Sequence, residues 1–279
     1  MMYLHFTSNI LNTNGSVKTY RELLKPLSTI NLRRSSKFNI LAVYGALLCV
    51  HQKEVNSDIA IYVATEYGPI MDVNHVLNTI NSEDNIIMPF DFLNINSNNV
   101  SFYVAKALNA TGKNMVLTSK ALSFEKTMQL AFFDLHTNEV KNVLIGAVDE
   151  SVEEIPEYDK YTPNLFNQIS CDGSYWFYAN TCSTNALASI HSIKEYSSYD
   201  DVKKSLTFYN KVISLNQYAA SDTILQNLIE SESGKIIRTN AFFGCDGALN
   251  FHALLKHKGE AIHIGKDNSG KFIVIELTL

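Results

Sequence analysis

Apolar and polar positions fall along this chain in blocks whose period switches between that of a strand and that of a helix. Residues 1–11 have the pattern of an opening strand, and Phe38 to Val50 is a continuous apolar helix candidate after the cluster Arg33-Arg34-Ser35-Ser36-Lys37. Ile59 to Thr65 is an apolar run with the length of a buried strand. Asp72 is expected to cap a helix whose Val73, Val76, Leu77 and Ile80 share one face. A turn centred on Pro89 follows, and then residues 94–99, whose four asparagines and one serine favour turns and caps. Val100, Tyr103, Val104, Ala107 and Leu108 hold the i, i+3, i+4, i+7, i+8 spacing of an amphipathic helix, capped by Ser97 or Asn98 and stopped at Asn109-Ala-Thr-Gly112.

The next block, Asn114-Met-Val-Leu-Thr-Ser-Lys120-Ala-Leu-Ser123, has the layout of a strand entering a sharp turn and then a helix. Met115 to Leu117 supply the apolar run, and Phe124, Met128, Ala131, Phe132 and Leu135 recur at the spacing of one buried helix face. Asn142 to Val148 then reads as a central parallel strand. Strand, helix and strand in that order imply a right-handed crossover, so residues 1–150 are expected to form a layered α/β half. Asp149-Glu-Ser-Val-Glu-Glu-Ile-Pro-Glu157 breaks the pattern as a solvated acidic loop or linker. Beyond it we expect an aromatic strand at Tyr175 to Tyr178, helices at Asn185 to Ile193, Val202 to Ile213 and Thr223 to Ile229, and a terminal hairpin. The hairpin joins Ala261–Ile264 to Lys271–Leu277 through the turn Lys266-Asp-Asn-Ser-Gly270. Residues 151–279 would thus be a shorter second half, packed on the first as one globular unit. No internal repeat is visible in the residues.

Composition adds bounds. With 279 residues, 46% of them hydrophobic and 18% charged, the chain can bury a sizeable core. A net charge of -5 lacks the basic stripe of a nucleic-acid-binding surface. No apolar run reaches the ~20 residues of a membrane span, and the N-terminus lacks a basic segment before an apolar signal core, so a cytoplasmic location is expected by default. The four cysteines, Cys49, Cys171, Cys182 and Cys245, are widely spaced and read as reduced and structural.

An elbow at a helix N-terminus suits an anion, because unpaired N–H groups and the helix dipole favour a thiolate there. Its tip here is Lys120, a cation disfavoured at that place by roughly 0.3–1 kcal/mol. Lys120 can be read as a desolvated amine acting as nucleophile or base, or as a bland replacement that pairs with an acid or reaches solvent. Ser119 and Ser123 flank it, and with one of the eight histidines either could serve an acyl hydrolase or acyltransferase. Yet there is no Gly-x-Ser-x-Gly, serines near a helix start usually cap it, and the histidines have no metal spacing. No phosphate-cradling glycine run is present either, so no metal or cofactor is expected.

Taken together, Pro89-Phe90, Asn96-Ser97-Asn98, the helix ending at Gly112-Lys-Asn114, the elbow with its helix, and Val143-Leu-Ile-Gly-Ala-Val-Asp-Glu150 resemble the N-terminal half of β-ketoacyl synthases over roughly residues 35–150. That family shows, in order, a proline, an asparagine-serine segment, a helix, a glycine, a strand reaching the active cysteine, and a strand ending Gly-Gly-x-Asp-Glu. The resemblance implies a thiolase-like layered α/β/α/β/α fold, with an abbreviated second half because full synthases are substantially longer. It puts the family's acyl-accepting cysteine at Lys120, where no thioester can form. The family's His-Gly-Thr-Gly-Thr and Lys-x-x-x-Gly-His motifs are absent. Lys256-His-Lys-Gly259 is a superficial echo, and Asn240 to Asn250 faintly resembles the Asn-x-Phe-Gly-Phe-Gly-Gly-x-Asn loop with two extra residues.

A synthase-like chain without these groups resembles the chain-length factor, the noncatalytic partner in type II polyketide and aryl polyene synthases. The resemblance implies a heterodimer with an active ketosynthase, chains delivered on an acyl carrier protein, and a role in shaping the acyl tunnel. The implied tunnel or interface residues are Ser97, Asn98, Ser101 and Phe102, whose bulk would set chain length. Two other readings stay open: the acyl hydrolase or acyltransferase using Ser119, Ser123 or Lys120, and a self-associating degenerate synthase without a ketosynthase partner.

Overall fold

The computed structural model describes residues 1–279 apart from Asn14, residues 83–85 and 161–163, Asn240 and Phe242, with Asp159 described by its backbone alone. The first half runs β1 (Met2–Asn12), α1 (Val17–Leu24), α2 (Lys37–Val50), β2 (Ala60–Ala64), α3 (Ile70–Ile80), α4 (Pro89–Asn94), α5 (Asn99–Leu108), β3 (Asn114–Leu117), α6 (Ser123–His136), β4 (Asn142–Asp149) and β5 (Asp172–Asn180). The second runs β6 (Ala188–Tyr196), α7 (Tyr199–Ser205), β7 (Val212–Leu215), α8 (Gln217–Ala220), α9 (Thr223–Ser231), β8 (Lys235–Ile237), α10 (Asp246–Leu254), β9 (Glu260–Lys266) and β10 (Phe272–Thr278).

Ten strands form one sheet in the order β3-β2-β4-β5-β1-β6-β10-β9-β7-β8. Outward from the antiparallel β1–β6 pair, the wings read 1-5-4-2-3 and 6-10-9-7-8, so each strand of the second half takes the place of the strand five earlier. Pairing directions repeat as well. β2 is parallel to β3 and β4, as β7 is to β8 and β9, while β5 and β10 run antiparallel to their neighbours. The topology is thus duplicated where no repeat is visible in the residues. The wings meet between Asn180 and Ala188, and the acidic stretch after β4 is a connection inside the first wing.

Side-chain alternation along the strands splits the core into three. On β2, Ala60, Tyr62 and Ala64 join α6 and α10 in a central cluster, while Ile61 and Val63 face α2 and α5. On β9 and β10, Ala261, Ile275 and Leu277 join the same central cluster, while Ile262, Ile264, Phe272 and Val274 face α7 and α9. The succession helix, sheet, helix, sheet, helix expected of the layered fold is the one observed, with the second wing the shorter. Among the described residues no helix is long and apolar enough to cross a membrane.

Several elements differ from expectation. Asn185 to Ile193 is not a helix, because β6 fills the middle of the sheet from Ala188. Its register against β10 shifts at His191, with Ser192 opposite Glu276 and Ile190 opposite Leu277. That bulge puts the buried Ile190 and the half-buried Ile193 three apart, which mimics a helix period. Val202 to Ile213 is not one helix either. Ser198 caps α7, which ends at Ser205, and Asn210 turns with φ of 55° before β7. Leu206 and Phe208 reach the outer cluster from this connection, which accounts for the apolar spacing. Helix α3 begins after Pro69, so Asp72 lies in its first turn, and of its supposed buried face only Val76 is buried while Leu77 and Ile80 are exposed.

Trp176 of β5 is fully buried, and its ring lies against Gly146 of β4 so closely that a Cβ at residue 146 would sit 2.5 Å from Cη2. Neither ring nor strand can retreat from a packed layer. Gly146→Ala is therefore expected to destabilise the fold by roughly 1–3 kcal/mol, read as a lower urea midpoint with unchanged slope.

Candidate functional site

Strand β3 delivers the chain into the elbow, and the tip adopts the conformation the layout demands. Lys120 has φ of 51°, a left-handed value uncommon outside glycine. Ser123 holds it in place. Its hydroxyl accepts from the Ser119 N–H at 2.8 Å and donates to the Lys120 carbonyl at 2.7 Å. Helix α6 is fixed below by Asp134, which accepts from the Tyr62 hydroxyl at 2.5 Å and pairs with Lys113 at 2.6 Å. The Lys120 side chain is exposed, so nothing desolvates the amine as a lysine nucleophile requires. Ser123 is buried with its hydroxyl engaged on both sides by backbone, and among the described residues neither it nor Ser119 has a histidine partner. The hydrolase or acyltransferase reading has no base and no free hydroxyl at Ser123.

The second wing has its own strand-to-helix turn, leading from β8 into α10, with Cys245 at the N-cap. By the duplicated topology it is the counterpart of the Lys120 elbow. Of residues 240–250, Phe243 to Asn250 thus belong to this turn and helix; Asn240 and Phe242 lie outside the described residues. Cys245 is buried, and burial followed by the adjacent Asp149 charge pushes its thiol well above the usual range. A thiol so held does not supply a thiolate.

Acidic side chains that sequence reasoning placed in solvent lie between the two turns. Asp149, at the end of β4, accepts from the Thr65 hydroxyl at 2.6 Å and from the backbone N–H groups of Glu66 and Tyr67, which fixes the loop after β2. Burial raises the carboxyls of Glu66, Asp149 and Asp246, with neighbouring acids adding to the effect at Glu66 and Asp246. Asp149 and Glu150 are therefore interior groups, which corrects the solvated-loop reading at its start. An apolar strand running directly into Asp-Glu was the one available signal.

Below the elbow, Glu125 of α6 pairs with His263 Nε2 at 2.9 Å, and His263 Nδ1 meets the Ser214 hydroxyl at 2.8 Å. The order serine, histidine, carboxylate is that of a hydrolytic triad, but all three residues are fully enclosed, with Phe124 and Phe251 edge-on to the imidazole. Gly247 and Gly265 make room for the carboxylate: a Cβ at either would lie 2.2 Å and 2.6 Å from Glu125 Oε1, respectively. With no path for substrate, this chain of hydrogen bonds ties the wings together.

The four residues implied by the family resemblance lie around the start of α5. Ser97 is half-buried, Asn98 is exposed, Ser101 is buried with its hydroxyl donating to the Asn98 carbonyl at 3.1 Å, and Phe102 is 56% exposed. Phe102 is one of several exposed apolar residues on this side. Leu77 and Ile80 of α3, Met88, and Phe90, Phe92 and Leu93 of α4 are all exposed too. Strand β3 beside them ends the sheet with an open edge among the described residues.

No protein-family model matches the chain, and no curated protein matches it significantly. Solved structures do match. The ishigamide ketosynthase/chain length factor superposes with a TM-score of 0.76 at 11% identity, covering 100% of this chain and 99% of that one. A β-ketoacyl synthase from Burkholderia phymatum gives 0.72 at 10% identity over 99% and 98%. The ketosynthase ApeO in complex with its chain length factor ApeC from Xenorhabdus doucetiae gives 0.57 at 12% identity over 99% of each. These likenesses establish the ketosynthase-type, thiolase-like fold of the chain.

Glu150 gives the site a pH dependence. Burial pushes its carboxyl up to about 8, although the Lys37 ammonium pulls the other way. The folded chain therefore holds a proton that the unfolded chain releases above its ordinary pKa of ~4.3. The resulting stabilisation is complete below that value and is lost as pH rises through about 8. Urea unfolding should show stability falling between pH 5 and 8.5, and Glu150→Gln should flatten the fall and raise stability at pH 8.5 by about 1 kcal/mol or more. An unaltered slope in the variant would mean that Glu150 is ionised in the native state.

Proposed function

We propose that this chain is a noncatalytic chain-length-factor subunit, pairing with an active ketosynthase and helping to shape its acyl tunnel in aryl polyene or related type II polyketide biosynthesis. The observation that carries the reading is the elbow, which keeps its left-handed tip and its helix while presenting an exposed lysine. An ammonium group there forms no thioester, and the sulfur of the matching turn in the second wing is enclosed. Condensation therefore falls to a partner. The ishigamide and ApeO–ApeC structures that the fold matches are ketosynthases with chain length factors, and AntDE:AntF is a type II PKS acyl-carrier protein in complex with its ketosynthase.

The need for a partner has independent support in the apolar surface. Phe92, Leu93 and Phe102, each more than half exposed, stand on α4 and α5, with Leu77 and Ile80 on α3 and Met88 just before α4. Clusters of exposed apolar side chains on one side of a fold mark interaction surfaces, and aromatic residues dominate interface energetics. The open edge of β3 offers backbone hydrogen bonds on the same side. Phe102 is the residue of the α5 group best placed to reach a neighbouring tunnel, since Ser101 is directed into its own subunit. Acyl chains would arrive on a carrier protein bound to the complex.

Mixing the purified chain with its ketosynthase should give a stable 1:1 complex in size-exclusion chromatography with light scattering. Phe92→Asp combined with Phe102→Asp should weaken it by about a hundredfold or more, while Lys120→Ala leaves it intact. Phe102→Ala should lengthen the product, read by mass spectrometry of the carrier-bound chain. A monodisperse chain indifferent to the ketosynthase would overturn the proposal.

A further inference from the structure

Charge is unevenly divided along the chain. Residues 1–53 hold seven lysines and arginines against one acid, Glu22, while the remaining residues hold 16 basic and 27 acidic side chains. The basic stretch folds into β1, α1 and α2, and α2 shares its core cluster with Val100 and Val104 of α5. It also touches α4 directly. The Arg34 guanidinium lies over the Phe90 ring, 4.3 Å from its centroid, and the Arg34 carbonyl accepts from Asn94 Nδ2 at 3.1 Å. We infer that Arg33 and Arg34 form a basic rim beside the apolar side chains of α3, α4 and α5, which recognises carboxylates at the edge of the ketosynthase surface, steering association and selecting the partner. This inference rests on the ketosynthase reading and adds the chemistry of its rim.

The two arginines are held in place from behind. Arg21 of α1 directs Nη2 at the carbonyls of Leu32, Arg33 and Ser35, at 3.4, 2.7 and 3.4 Å. Asn31 Oδ1 accepts from the Arg33 N–H at 3.1 Å, and Leu32, Ser35 and Ser36 are buried. Arg33 and Arg34 are themselves exposed, and among the described residues neither forms an ion pair. Even Asp91, next to Phe90 in α4, pairs with neither. A loop fixed beforehand loses little freedom on meeting a carboxylate, and an arginine over an aromatic ring keeps its N–H edge available for one.

Continuity names the occupant. Phe90 lies in the same helix as Phe92 and Leu93, both more than half exposed, so a chain that covers those side chains reaches Arg34 as well. A second copy of this chain fits the rim poorly. A face paired with itself sets the arginines of both copies in one positive field, which disfavours self-association there. An exposed charge pair adds little to the affinity of the finished complex, because solvent screens it. Its effect lies in the rate of encounter and in the rejection of wrong partners. The apolar side chains thus supply affinity and the rim supplies choice.

Stopped-flow association of the full chain with its ketosynthase tests this. The rate for the unaltered chain should fall about tenfold or more as ionic strength rises from about 0.03 M to about 0.3 M, a readout that needs no variant. Arg33→Glu combined with Arg34→Glu should slow association at low salt by about tenfold or more and flatten the salt dependence, while dissociation changes by less than about threefold. Lys203→Glu with Lys204→Glu, exposed on α7 of the second wing, makes the same change in net charge and should slow association by less than about threefold. A rate indifferent to salt, arginine variants that associate as fast as the unaltered chain, or an equal loss in the lysine variants would overturn the inference and leave the ketosynthase pairing in place. So would arginine variants that lose only carrier-protein binding, since the rim would then serve a different partner. An unaltered chain that forms no complex would overturn the pairing itself, and the rim with it.

Discussion

The architecture depends on burying two helices back to back between the wings of one sheet, and the Glu125–His263 contact joins the wings at that seam. Glu125 belongs to α6 of the first wing, while His263, Gly247 and Gly265 belong to the second. A carboxylate taken this far from water is tolerable only with partners, and removing one partner of a buried pair typically costs about 3–5 kcal/mol. Its second oxygen, Glu125 Oε2, has no hydrogen-bond partner among the described residues, so the contact to His263 carries more of the burden. The two glycines follow from this constraint, because any side chain at either place would occupy the volume of the carboxylate.

The same arrangement explains why chemistry-bearing positions converge. Each central helix starts at a turn from a parallel strand, β3 into α6 and β8 into α10, so stacking the helices brings both turns into one region. The end of β4 enters that region too, carrying Asp149 into contact with the loop after β2. Several acids in a small enclosed volume cannot all be ionised, since like charges and lost solvation act in the same direction. The interior between the turns is consequently closer to neutral than its composition suggests.

How much of this was legible in the sequence depended on whether a segment's period matched its environment. Helix α6 was readable because Phe124, Met128, Ala131 and Leu135 are all buried at helical spacing, and β2 and β4 because strands covered on both faces are apolar throughout. Strand β6 was not, because the bulge at His191 shifts its phase to that of a helix. The face of α3 was read correctly as apolar and wrongly as buried, since periodicity reports which residues are alike and not what covers them. In the candidate site, the elbow could be found from its strand-turn-helix layout. Asp149 and Glu150 could not be told from a solvated acidic run, because their burial follows from the path of the chain after β4. Gln217 and Asp246 carried no local signal, as the hydrogen bond from the Gln217 N–H to the Asp246 carboxyl arises only when β7 and α10 meet.

The left-handed elbow at Lys120 has a packing explanation. A left-handed residue other than glycine costs on the order of 1 kcal/mol and persists where its surroundings impose it. Here the Ser123 hydroxyl clasps the backbone on both sides of the tip, and the helix it starts buries Phe124 and Met128 under both wings. Relaxing the turn would re-aim α6 and disturb the central layer, so the conformation answers to the core and not to the residue at its tip. The side chain of that residue is exposed, where an ammonium disturbs no packing and is opposed only by the weak field of the helix terminus. The residue at the tip is therefore free to change while every constraint that builds the scaffold around it stays in force.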